Sequence, residues 1–155
     1  MSEQSLPPKL ERLLETFALL PGRAERIQLL IDLAGRFQGV PEEMAERPYP
    51  EERKVPGCES EVYLWAEPLA DGTLKLRFAV ENPQGISAKA MAVVLDETLS
   101  GAPLEAVTRV PRDLPYRLFG QELSMGKSMG LTGMVAMVQA TAKRRLEQPA
   151  TQPPN

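Results

Sequence analysis

Residues 61–80, EVYLWAEPLADGTLKLRFAV, form the stretch that decides the fold. Two runs rich in β-branched and aromatic residues, 61–66 and 73–80, lie on either side of Asp71-Gly72, a pair typical of a tight turn. The second run alternates apolar with polar side chains, which is the pattern of a strand with one buried face. The stretch therefore predicts an antiparallel β-hairpin.

The inner face of the first strand depends on the length of the turn. A two-residue loop would pair Trp65 with Phe78 and turn the odd-numbered positions toward the core. A three-residue loop would pair Leu64 with Phe78 and turn the even-numbered positions from Cys58 to Leu64 inward. We favour the three-residue loop because it buries Val62 and Leu64 and leaves the neighbouring glutamates outside.

Helical patterns precede the hairpin. Apolar residues recur with the spacing of one helix face over residues 10–18 and again over 27–37, and Pro21-Gly22 separates the two stripes. The second stripe places five residues on one apolar face: Ile27, Leu30, Ile31, Ala34 and Phe37. These stripes predict an antiparallel helix pair. Residues 40–57 contain four prolines, so we expect an irregular segment with one short helical turn near residues 42–45.

Helical patterns also follow the hairpin. Asn82-Pro83 is typical of a helix start, and the apolar residues after it predict a helix to about Leu99. Short helical pieces are expected at 104–107 and 112–119, before a long helix that begins near Ser124 or Ser128. The fold class is therefore α+β: a small antiparallel sheet, the central hairpin, flanked by an N-terminal helix pair and C-terminal helices.

The chain length of 155 residues fits one domain. We expect that domain over residues 9–146, with flexible tails at 1–8 and 147–155, where proline and polar residues dominate. The 18 basic and 21 acidic side chains give a net charge of −3, which argues against general nucleic-acid binding. The sequence has no apolar run of membrane-spanning length and no signal-peptide pattern, so we expect a cytoplasmic protein without membrane contact.

Two rare residue types narrow the chemistry further. The sequence contains no histidine, which excludes Ser-His and Cys-His nucleophile pairs and histidine-containing zinc sites. It contains one cysteine, Cys58, so the chain forms no internal disulfide and lacks the thiolates that an all-cysteine metal site needs. Any sulfur chemistry is that of a single thiol.

The segment S-M-G-K-S, residues 124–128, resembles part of a phosphate-binding loop. The first glycine of that motif should lie at position 121, which is Gln121, and no clear strand precedes the segment. A Ser-x-x-Lys nucleophile at Ser124 and Lys127 lacks its accompanying motifs. We therefore interpret the segment as the start of a helix with an exposed lysine.

Cys58 lies in V-P-G-C-E-S-E-V, residues 55–62, directly after a Pro-Gly turn and directly before the first strand. A lone cysteine is most often a small buried apolar residue. A Pro-Gly turn, however, presents its neighbours at the surface, where a thiol can meet another molecule. Basic and acidic residues both flank Cys58, so the sequence does not indicate a strongly activated thiolate.

The segment V-P-G-C-E-S-E-V-Y-L-W, residues 55–65, resembles the active-site stretch V-x-G-C-Q-S-x-V-W of the SufE/CsdE family, the sulfur-acceptor partners of cysteine desulfurases. Residues 123–134, L-S-M-G-K-S-M-G-L-T-G-M, are similar to the family's L-S-x-S-R-x-x-G-L-x-x-M. The likeness extends over roughly residues 10–146. Glu59 stands where Gln is usual, and Lys127 where Arg is usual, so a point charge replaces a bidentate group.

The resemblance implies that Cys58 accepts sulfur as a persulfide, and that Gly57, Glu59, Ser60 and Lys127 form the site loop and contact the partner. It implies a SufS-like cysteine desulfurase as donor and an iron–sulfur scaffold downstream. Pyridoxal phosphate belongs to the desulfurase, so we expect no cofactor and no metal in this chain. The chain would act as a sulfurtransferase accessory protein rather than as a stand-alone enzyme.

Two alternatives to the function of a sulfur carrier stay open. The chain could activate or regulate a desulfurase while Cys58 holds no lasting sulfur. It could also build clusters on itself, against which one cysteine and no histidine argue. For a carrier, a resting Cys58 that faces the apolar side of the hairpin, on a loop that swings out on docking, would protect a persulfide from reductants and oxidants.

Overall fold

The hairpin forms as the sequence favoured. The computed structural model describes residues 6–121 and 123–148, and in it strand β1, Val62–Pro68, pairs with strand β2, Leu74–Val80, in antiparallel order. Leu64 lies opposite Phe78. The backbone N–H of Leu69 donates to the carbonyl of Thr73 at 2.8 Å, which leaves a three-residue loop between them. The prediction of a three-residue loop is therefore confirmed.

Helices precede and follow the hairpin along the sequence. The described residues contain helices α1 (Pro8–Ala18), α2 (Arg23–Ala34), α3 (Ile86–Leu99), α4 (Leu104–Thr108), α5 (Leu114–Phe119) and α6 (Met125–Glu147), and a short 3-10 helix at Glu51–Arg53. The α+β class and the predicted order of elements are confirmed. The predicted tails, 1–8 and 147–155, lie mostly outside the described residues, so they stay predictions.

Helix α3 is the centre of the fold. It packs against α1, α2, α6 and β2, and most of its residues are buried and apolar, while Ile86 and Glu97 are exposed. Met91 and Leu95 are completely buried in it. The two N-terminal helices are held together mainly through α3 and less by direct contact with each other.

The buried face of α2 differs from the predicted stripe. Leu30 and Leu33 are buried, whereas Ile27 and Ile31 are 45% and 46% exposed. The sequence pattern alone does not show which of two adjacent apolar faces meets α3. The docking of α2 on α3 decides this, so the expectation that Ile27 and Ile31 belong to the core face was wrong.

Helix α3 also begins later than predicted. The side-chain oxygen of Asn82 accepts a hydrogen bond from the N–H of Gln84 at 2.9 Å, and the carbonyl of Asn82 accepts one from the N–H of Gly85 at 2.9 Å. Asparagine commonly bonds the backbone two residues onward in this way, which forms a turn instead of a helix cap. The helix starts at Ile86, and the expected start at Asn82-Pro83 was wrong.

The irregular segment before the hairpin covers the hairpin's outer face. Tyr49 lies 5.1 Å from the ring centroids of both Tyr63 and Trp65, and the guanidinium of Arg53 lies 5.6 Å from that of Trp65. Tyr63, Trp65 and Ala79 form a second, smaller apolar cluster there. Residues on both faces of β1 are therefore buried, which the sequence pattern did not predict.

The residues described include no helix with the length and apolar character needed to cross a membrane.

Candidate functional site

Cys58 lies on a short loop that is closed at its base. The backbone N–H of Val55 donates to the carbonyl of Val62 at 2.8 Å, and Lys54 forms a bridge with Tyr63. These contacts bring the chain on the two sides of residues 56–61 together. Cys58 therefore lies on a loop of six residues, directly before β1.

Two unusual backbone conformations turn the chain within this loop. Gly57 has φ +77°, a left-handed conformation that glycine adopts without steric cost. Glu61 has φ +53°, which is uncommon for a residue with a side chain, and its N–H donates to the carbonyl of Cys58 at 3.3 Å. The carbonyl of Ser60 accepts from the N–H of Asn82 at 3.2 Å. The loop is thus tied to the chain that follows β2.

The thiol of Cys58 is free, partly buried, and in contact with the main apolar core. Burial raises the pKa of Cys58, and the nearby charge of Glu59 adds to the rise. Backbone hydrogen bonding from Ser60 and Val62 lowers that pKa in part. The sulfur is therefore kept mainly as a neutral thiol.

Two hollows adjoin Cys58. One, of about 330 Å³, lies between the cysteine loop, the turn before α3 and the start of α6, and Ser60, Ile86 and Lys127 help to line it. The other, of about 600 Å³, lies on the side of Glu51 and Lys54. Cys58 lines both hollows, so another molecule has two directions from which to approach this residue.

The structure brings the predicted site residues together. Gly57, Glu59 and Ser60 share the loop with Cys58, and Lys127 comes from the first turn of α6 to line the same hollow. Glu59 and Lys127 are exposed, whereas Ser60 is partly buried. Their contact with a partner stays a prediction. Within residues 6–121 and 123–148, no group of three or more His, Cys, Asp or Glu side chains is arranged to hold a metal ion.

The S-M-G-K-S segment starts α6, as interpreted from the sequence. The hydroxyl of Ser124 accepts a hydrogen bond from the N–H of Lys127 at 3.3 Å, which is the contact of an N-cap residue. The interpretation as a helix start with an exposed lysine is confirmed.

Sequence reasoning missed two features of the site. The first is the backbone hydrogen bonding from Ser60 and Val62 that lowers the pKa of Cys58, because backbone groups leave no signal in side-chain identity. The second is the contact between the cysteine loop and two glycines of α6, Gly130 and Gly133. Glycine in the interior of a long helix was the available signal. It lowers helix stability, and a close approach of another part of the chain is a common reason for its presence.

A family model matches most of the chain. The model described as "SufE: Fe-S metabolism associated domain" matches residues 11–142, from α1 into α6. The chain belongs to the SufE family. Membership associates this SufE protein with iron–sulfur metabolism, and the matched span lies inside the predicted domain at 9–146.

A solved structure is similar to this SufE protein over almost its whole length. It is the solution structure of a hypothetical protein from Thermus thermophilus, with 30% sequence identity and a TM-score of 0.71. The alignment covers 93% of this chain and 100% of that one. Among curated proteins, none matches the chain.

Proposed function

We propose that this SufE protein accepts sulfane sulfur from a cysteine desulfurase on Cys58 and passes it toward iron–sulfur cluster assembly. The observation that carries the proposal is the placement of its one thiol on a short closed loop, partly buried and lined by two hollows. Family membership supports the association with iron–sulfur metabolism. The proposed setting is the cytoplasm, with an iron–sulfur scaffold as the downstream partner.

The proposed step is a thiol–persulfide exchange. The Cys58 thiolate attacks the outer sulfur of a persulfide on the desulfurase, and a new S–S bond forms as the old one breaks. The desulfurase cysteine leaves as a thiolate, and the outer sulfur keeps its proton. No net oxidation or reduction takes place, so the step needs no cofactor in this chain. Pyridoxal phosphate acts earlier, on the desulfurase.

Burial of Cys58 suits a carrier that must not react with free oxidants or reductants. Because burial raises the pKa of Cys58, the resting protein holds a weakly nucleophilic thiol. The chain contains no histidine to remove the proton, so the base comes from the partner in the complex. Backbone hydrogen bonding from Ser60 and Val62 then stabilises the thiolate while it attacks.

The surface beside the thiol is suited to contact with another protein. Met125 and Met129 of α6 are 80% and 57% exposed, and Met129 packs beside Gly57 of the cysteine loop. Exposed methionines adapt their shape to a partner surface. Glu59 and Lys127 add charges of opposite sign near Cys58, which can orient an approaching protein.

The test is intact-mass measurement after incubation with a desulfurase and free cysteine. We expect a gain of about 32 Da, one sulfur atom, that is lost on treatment with a thiol reductant. Cys58→Ser, which keeps the shape of the side chain but replaces the thiol by a hydroxyl, is the matched control. It should gain no mass.

The same experiment separates the carrier from a regulator. If wild-type protein gains no sulfur, Cys58 is not a carrier. Stimulation of desulfurase turnover that survives in Cys58→Ser supports a regulator. A mass gain on wild type together with loss of stimulation in Cys58→Ser supports the proposal.

A further inference from the structure

All three glycines of helix α6 face the cysteine loop. A Cβ atom added at Gly130 would lie 3.0 Å from the Cα of Cys58 and 3.1 Å from its Sγ. One added at Gly133 would lie only 2.7 Å from the carbonyl oxygen of Pro56. At Gly126 it would meet the end of the Glu59 side chain at 3.0 Å. The loop therefore lies directly on the backbone of α6.

Glycine at these positions has a cost within the helix. In a helix interior, glycine is less favourable than alanine because its backbone loses more freedom on folding. Gly130 and Gly133 lie inside a helix of 23 residues, where alanine would be the better helix former. The missing side chains at both positions allow the close contact with the cysteine loop.

We infer that Gly130 and Gly133 are positioning residues for Cys58. By lacking Cβ atoms, they let the cysteine loop rest on α6 and so set the depth at which the sulfur lies. Gly130 contacts Cys58 itself, and Gly133 supports the backbone at Pro56, two residues earlier. Their importance for sulfur transfer rests on the proposed function, whereas their effect on the position of the thiol does not.

The depth of the sulfur governs its reactivity. Burial is the largest cause of the raised pKa of Cys58, so a loop lifted from α6 exposes the sulfur and brings that pKa back toward its ordinary range. Four charged groups line the hollows beside Cys58, and the glycine substitutions remove none of them: Glu59, Lys127, Glu51 and Lys54. A changed titration would therefore report a displaced loop.

The experiment measures the rate of iodoacetamide alkylation of Cys58 against pH, without a desulfurase, in wild type, Gly130→Ala and Gly133→Ala. We expect both variants to react at least about threefold faster at pH 7 and to titrate at lower pH than wild type. Gly126→Ala is the matched control on the same helix. The added methyl group there meets only the flexible end of Glu59, so its rate should stay within about twofold of wild type.

Thermal unfolding in parallel distinguishes positioning from a purely helical role. If the glycines position nothing, alanine raises the Tm through better helix propensity and leaves the pH–rate profile unchanged, which would overturn the inference. Gly130→Ala pushes against the loop at Cys58, and Gly133→Ala pushes against it at Pro56. If one variant fails to fold, the other still tests the inference. Failure of both to fold, while Gly126→Ala folds, would also overturn it, because the contacts would then serve the whole fold.

The outcome is separable from that of the proposed function. A shifted alkylation profile in proteins that never gain sulfur from a desulfurase would keep the positioning role and reject the carrier. An unchanged alkylation profile in proteins that do gain sulfur would reject the positioning role and keep the carrier.

Discussion

Replacing Val62 by alanine should destabilise the protein by about 2 to 3 kcal/mol. Val62 is completely buried at the point where β1 begins, and its carbonyl closes the base of the cysteine loop by accepting from Val55. The substitution removes two methyl groups, each contributing about 0.8 kcal/mol of transfer free energy. Incomplete collapse of the space adds about 1 kcal/mol.

The matched control is Val80→Ala. Val80 is the register partner of Val62 on β2, but it is only partly buried. The same two methyl groups are removed from the same residue type at paired positions of the two strands. We expect about half the effect of Val62→Ala, near 1 kcal/mol, because fewer contacts are lost.

The assay is urea unfolding followed by the fluorescence of Trp65, which is the one tryptophan and is buried on the outer face of β1. Equal losses in the two variants, or a larger loss in Val80→Ala, would refute the reasoning, since the difference rests on burial alone. Val62→Ala should also speed alkylation of Cys58, because it loosens the base of the loop, whereas Val80→Ala should not.

Two further predictions concern the site. The pKa of Cys58 is raised in the folded state, so the folded protein holds its thiol proton more strongly than the unfolded chain does. The resulting contribution to the free energy of unfolding is fully present below about pH 8.5, where the cysteine of the unfolded chain titrates. It is lost as the pH rises toward the folded-state pKa. Urea unfolding from pH 7 to 10 should show this fall in wild type and a smaller one in Cys58→Ser, and equal falls would contradict it. Lys127→Glu should reduce the rate of sulfur gain from a desulfurase by about tenfold, with stability changed by less than about 0.5 kcal/mol. Lys127→Arg should retain the rate, and a normal rate in Lys127→Glu would exclude a charge contact at this residue.

Local patterns predicted those parts of the fold whose causes are local. The alternation along β2 and the Asp71-Gly72 turn specified the hairpin, and the burial of Val62 and Leu64 selected its three-residue loop. Asn82 shows the limit of such reasoning, because its side chain can cap a helix or close a turn. In the structure, the N–H of Gln84 donates to the Asn82 side chain, and this contact forms the turn.

The absence of histidine, the single thiol and the motif around Cys58 were enough, from sequence alone, to restrict the chemistry and to indicate the SufE family. Only the tertiary structure showed that Cys58 is partly buried, with a raised pKa, and that Gly130 and Gly133 lie against its loop. The physical reason is that a residue's identity specifies its own conformational preferences and chemistry. Burial and close approach depend on residues far away in the chain, which meet only when α6 packs beside β1.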